Sequence, residues 1–183
     1  MKRILILTLA FISLFSMASA ISLDELCSNT YRYKHVHTGP LSDEYIDNTS
    51  INVVSNTPPY YVINADAYAV YYDTNTISQY SNAYHLDYSR SLNRLIPLYG
   101  DDSASGVAEW KQDSGIKWEP RGIAVFGFDG STIIPYTSAA SLAPMPTSLE
   151  PAAPMSPAYM AGMYVFYEAF DIYFNPPMRQ QMF

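Results

Sequence analysis

The chain has little with which to staple itself or to hold a metal. Its single cysteine, Cys27, excludes an internal disulfide, and no paired-cysteine metal motif is possible. There is no glycine-rich phosphate loop and no GxSxG nucleophile elbow. Basic residues are scarce, 10 against 17 acidic ones, and the formal charge of −7 disfavours nucleic acid and anionic membranes as partners. Charged residues make up only 15% of the chain while hydrophobic residues reach 49%, a balance that excludes general disorder.

The N-terminus carries an address. Residues 1–20 start with Lys2 and Arg3, continue as an apolar run and end in Ala18-Ser19-Ala20, the pattern of a secretory signal peptide cleaved before Ile21. The apolar run is shorter than the ~20 residues of a spanning helix, so no stable membrane span is expected after cleavage. Loss of the two basic residues and no acidic one takes the formal charge from −7 to −9. A lipoprotein would place its cysteine next to the cleavage site; Cys27 follows Asp24-Glu25-Leu26 instead, and burial is the commonest fate of such a lone thiol. The expected location is the periplasm, cell surface or medium. Residues 21–175 are read as one domain, with a Pro- and Ala-rich connection over 138–157 and a tail over 176–183.

Residues 59–88 dominate that domain. They are rich in Tyr, Val and Ile, alternate with period two, and break at Asp73-Thr74-Asn75-Thr76, which reads as a long β-hairpin. An even-length turn puts Tyr72 opposite Ile77. One face then pairs Ala65 with Tyr84, Ala67 with Asn82 and Ala69 with Tyr80, a small-residue row awaiting a bulky cover. The other face, with Asn64, Asp66, Tyr68, Gln79 and His85, reads as mostly solvated.

Around the hairpin, residues 21–30 are expected as a loose lead-in, 31–37 as a first strand, and 44–54 as two short pieces about a polar turn. Pro58-Pro59 turns the chain into the hairpin, giving an antiparallel meander. Residues 92–99 are expected as an edge strand limited by Pro97, 107–118 as an irregular connection whose tryptophans seal the sheet, and 123–128 as the last strand. Ser156-Pro157 supplies an N-cap and a first-turn proline, so 157–174 is read as a helix laid on the alanine row. The fold class is α+β: an antiparallel sheet with a C-terminal helix packed on one face.

Chemistry-bearing groupings are sparse. His35 and His37 would share a strand face, but without an evident third ligand they are better read as structural. His85, Asp66, Asp87 and Ser81 have the residue types of a hydrolytic triad, on a face that offers neither elbow nor oxyanion hole. Asp101-Asp102-Ser103 lacks the spacing of a calcium loop, and Asn48-Thr49-Ser50 matches a glycosylation acceptor. Neither catalysis nor a cofactor is expected. Seventeen tyrosines suit half-buried sheet surface or a recognition surface.

Tyr45-Ile46-Asp47-Asn48-Thr49-Ser50-Ile51, a strand end, an aspartate and a Ser-Ile pair opening the next strand, resembles the opening motif of the surface-adhesin protein E-like family of small exported bacterial proteins. The Tyr-rich hairpin and the aromatic closing helix with Ala169 and Phe174 are similar too, so the likeness runs from Tyr31 to about Phe174. It implies an antiparallel sheet with a packed C-terminal helix, adhesion to host matrix proteins, and neither catalysis nor a cofactor. The chain departs in lacking a lipobox and in its proline-rich segment.

The leading expectation is therefore a noncatalytic exported binding protein whose partner is a protein of the host matrix or envelope. Tyr68 and Tyr72 are its candidate anchors on the face opposite the helix. The competing expectation is a periplasmic module that binds a small apolar ligand or peptide between sheet and helix. A pocket there would favour the second; a closed core with exposed aromatics would favour the first.

Overall fold

The computed structural model describes residues 20–138, 141 and 149–176. The signal-peptide reading, most of the Pro- and Ala-rich connection and nearly all of the tail fall outside the described residues.

The long hairpin is the centre of the sheet. Strands β4 (Tyr60–Tyr71) and β5 (Thr76–Asp87) pair along their whole length around a four-residue loop, with Tyr71 opposite Thr76. The expected pairing is displaced by two residues: Ala67 faces Tyr80 rather than Asn82, and Ala65 faces Asn82 rather than Tyr84. The cause is local. Asn75 takes the left-handed conformation (φ 53°) that closes the loop, so Tyr72 is drawn into the turn and β-branched Thr76 stays in the strand. Because the displacement is even, every side chain keeps its expected face.

Among the described residues eight antiparallel strands form one sheet in the order β1-β2-β4-β5-β6-β7, and the fold is α+β. Strands β1 (Tyr33–Thr38) and β2 (Ser42–Asp47) lie on one side. Strand β2 covers only the turn-proximal half of β4, and β3 (Asn52–Thr57) covers the other half. The joint between them is a 3₁₀ turn over Asn48–Ser50, inside the Tyr45–Ile51 motif. Asp47 Oδ1 accepts from Thr49 N and Oγ1, its Oδ2 accepts from Arg32 Nε at 3.0 Å and Nη2 at 2.8 Å, and Ser50 Oγ accepts from Asp66 N. Asn48 is gripped at both ends, by the Tyr31 carbonyl and by the Tyr164 hydroxyl. The motif is thus a knot that lets one long strand serve two short partners.

On the far side, β6 (Ile116–Gly127) repeats the arrangement, paired with β7 (Thr132–Ser138) near the turn end and with β8 (Glu150–Pro151) near the other. The strand expected over 123–128 is therefore the second half of a longer one.

Two helices cover the two faces. Helix α4, bounded as Pro157–Phe170, starts where Ser156 accepts from Tyr159 N and ends at Asp171 in the left-handed conformation, earlier than expected. It lies over Ile63, Ala65, Ala67, Tyr84 and Leu86, which with its own Met163, Tyr164 and Phe166 form the main core. Gly162 permits this approach, since a Cβ there would sit 2.7 Å from Ile116 Cγ2.

The opposite face is not simply solvated. Residues 21–30 hold a short helix, α1 (Leu23–Ser28), capped by Ser22 and tied by Leu23 N to the Phe128 carbonyl. Its buried Leu26, with Ile21, covers Tyr33, Tyr45, Tyr68, Val70, Ile77 and Phe126, a second core at the turn end. Only the other end of this face, around Val62, Asn64 and His85, stays partly open as expected.

Two further expectations are corrected. Residues 92–99 are helix α2 (Leu92–Tyr99), not an edge strand: Leu92, Leu95, Ile96 and Tyr99 recur at helical spacing, and Leu92 and Leu95 are buried. Residues 103–112 are helix α3 (Ser103–Gln112), capped by Asp102, which accepts from Ser105 N and Oγ. Its Trp110 packs edge-on against Tyr159 at 6.0 Å, so this tryptophan seals the helix layer. Past α4, buried Asn175 accepts from Leu92 N and donates to Tyr159 Oη, which fastens the segment after α4 to the start of α2.

Candidate functional site

The main core has an opening at one end. Helix α4 touches β6, β4, β2 and β1, so it crosses the strands and covers only part of the alanine row. At the turn end, beyond Ala158 and Ala161, a cavity of about 410 Å³ remains between sheet and helix. Neighbouring strands supply its sheet wall: Glu44 from β2, Tyr71 from β4, Tyr80, Asn82 and Tyr84 from β5, and Trp118 from β6. The opposite wall is small and apolar, made by Ala152, Ala153 and Ala161.

Each polar group reaches the cavity by strand parity. Glu44 sits opposite Ala69 and Asn82 opposite Ala65, so both share the α4 face. Burial pushes the Glu44 carboxyl up to about 7; a long Ser42 Oγ contact (3.5 Å) opposes the rise and the Asp43 carboxylate adds to it. Burial likewise raises the Tyr71 phenol, helped by its hydrogen bond with Tyr80, and raises that of Tyr84. Asn82, only 6% exposed, donates Nδ2 to Tyr84 Oη at 3.1 Å, and its Oδ1 is buried with no partner. A buried amide oxygen without a donor costs roughly 1–3 kcal/mol, so this wall holds unmet hydrogen-bonding capacity.

A broader groove of about 830 Å³ lies at the opposite end, between Pro58-Pro59, Tyr61, Tyr88, Leu98 and Ile172, with the Arg94 guanidinium 5.5 Å from the Tyr88 ring centre. Among its described lining residues no buried side-chain polar atom lacks a partner. The cavity under α4 is the better candidate because polar groups converge there within apolar walls.

The expected anchors do not come together. Tyr68 is 3% exposed and packs edge-on against Tyr33 at 5.5 Å, covered by α1 rather than by the segment around Trp110 and Trp118. Tyr72 is 50% exposed in the turn, donates to Asp43 Oδ2 at 2.8 Å and meets Phe128 edge-on. His35 and His37 do not share a face, because a bulge at Val36 sets them opposite Tyr45 and Glu44, which point to opposite sides. Among the described residues no group of three metal-ligating side chains occurs. The triad types are not assembled either: Ser81 and Gln79 donate to Asp66, while His85 approaches Glu119 at 4.0 Å and burial lowers its pKa. Cys27 is exposed, not buried, with Sγ 3.7 Å from Tyr45 Oη.

Glu44, Tyr80, Asn82 and Trp118 had no motif to announce them. Comparison with protein-family models, with curated proteins and with solved structures gave no match to this chain.

Proposed function

We propose that this chain is a noncatalytic exported binding protein that holds a small amphipathic ligand between the sheet and the N-terminal end of α4. The observation that carries the reading is the unpartnered, buried Asn82 oxygen on the wall of an apolar-backed cavity that the Glu44 carboxyl also lines. The export signal at residues 1–20 and the acidic charge suit a periplasmic or extracellular ligand. Six-carbon amines, acids and alcohols form a sufficient first panel for thermal-shift measurement. At least one should raise Tm by a few degrees at saturating concentration, and the cavity-filling variant Ala161→Leu should lose that shift while folding normally. A flat response of the native chain across the panel counts against the reading.

A second reading, adhesion to a host matrix or envelope protein, is favoured by edge strand β7, where Ile133, Ile134 and Tyr136 are all exposed. Capture on immobilised matrix proteins that survives Ala161→Leu and is lost in Ile133→Lys/Ile134→Lys would favour this reading over the pocket.

A further inference from the structure

From the cavity wall we infer that the ligand is a cationic amine with a short apolar tail, its ammonium held by the Glu44 carboxylate against the surrounding aromatic rings. The inference rests on the pocket reading and adds the chemical class of the occupant.

The wall is rich in acceptors and poor in positive charge. Glu44 lies within electrostatic reach of Tyr71 and Tyr84, and among the described residues no Lys, Arg or His comes within ion-pair distance of its carboxylate. Of the described arginines, Arg32 pairs with Asp47, Arg90 with Glu109 and Asp113, and Arg121 with Glu119, while Arg94 lies over the Tyr88 ring. A carboxylate held among Tyr71, Tyr80 and Tyr84 without a counter-ion is a site that a cation stabilises. Aromatic faces add to that attraction because their quadrupoles present negative potential. Asn82 Oδ1, farther along the same cavity wall, is likewise an acceptor only and offers an anionic head no donor.

The start of α4 borders the same cavity and, taken alone, would favour an anion. Its donors are largely removed. Pro157 has no N–H, Tyr159 N is capped by Ser156 Oγ, and Met160 N bonds the Ser156 carbonyl. An anionic head would also meet Glu44 and a chain of formal charge −7. The alanine wall opposite accepts a short alkyl or aryl tail, which gives the ligand its second half.

Titration calorimetry of the full chain at pH 8 with n-hexylamine, hexanoate and 1-hexanol tests this. Hexylammonium should bind at least tenfold more tightly than the other two, and Glu44→Gln should weaken it at least tenfold while the melting temperature stays the same or rises. Tyr80→Leu, which keeps bulk and removes the ring, should weaken it several-fold. Equal or tighter binding of hexanoate or hexanol, or full hexylammonium affinity in Glu44→Gln, would overturn the charge assignment and leave the pocket standing. Binding of none of the three would overturn the pocket reading along with it.

Discussion

The two faces of the sheet are covered by different means. On one, a fourteen-residue helix, itself almost wholly apolar, lays Met163, Tyr164 and Phe166 on the sheet and is tied through Tyr159, in its first turn, to Asn175. On the other, the six-residue α1 contributes little more than Ile21 and Leu26, and the core beneath it consists mostly of sheet residues packed on one another. The heavier cover leaves the cavity because a helix laid across the strands covers their middle and leaves the turn end open. The lighter cover closes over Tyr33, Tyr45 and Tyr68, which lie buried with Ile21 and Leu26 at the turn end. The direction in which α4 crosses the first face therefore makes room for a ligand.

The comparison breaks most visibly at Phe166, which touches Tyr61, Tyr88, Phe170 and Phe174. Phe166→Ala should cost about 4 kcal/mol in urea unfolding and lower every spectroscopic probe together. A loss below about 1 kcal/mol would mean that α4 is not the principal cover.

Glu44 gives the next largest effect, through pH. Its carboxyl titrates near 7 in the folded chain against an ordinary value of 4.5. The folded state thus keeps a proton through that window which the unfolded chain has released, and stability falls as pH rises from 4.5 to 7. The expected contribution is about 3 kcal/mol, fully present below pH 4.5 and gone above 7. Glu44→Gln should flatten this part of the curve and be the more stable protein at pH 8. Other titrating groups near this carboxyl are Asp43 on its own strand, His37 opposite it on β1, and the phenols of Tyr71 and Tyr84. An unchanged slope in the variant would assign the pH dependence to one of them.

On the lighter face, Leu26→Ala should cost about 2 kcal/mol. Hydrogen exchange should show the amides of α1 opening first while those of β4 and β5 stay protected. Simultaneous loss of protection in both would show that the second core is as integral as the first. Smallest of all, Tyr72→Ser should change stability by no more than about 0.5–1 kcal/mol, since the ring is half exposed and its bond to Asp43 lies at the surface. The equivalent change at Tyr68 should be severalfold larger, because that ring lies inside the second core.

The sequence by itself determined the hairpin, which residues of it share a face, and the start of α4. Period-two alternation, an even turn and a Ser-Pro cap are local signals that need no tertiary partner to be read. It also held the helical spacing of Leu92, Leu95, Ile96 and Tyr99, outweighed in the strand expectation by Pro97, which a single eight-residue helix tolerates. The tertiary structure decided the rest. Whether Tyr72 belongs to strand or turn depended on which residue took the left-handed conformation, and Tyr68 became core because α1 docked on it. Glu44 and Asn82, with strands β3 and β4 between them in sequence, share a cavity only because β2 pairs with the turn-proximal half of β4 and α4 crosses the sheet away from the turn end. Face and cap are properties of a few neighbouring residues, whereas burial and convergence depend on how far one element reaches over another.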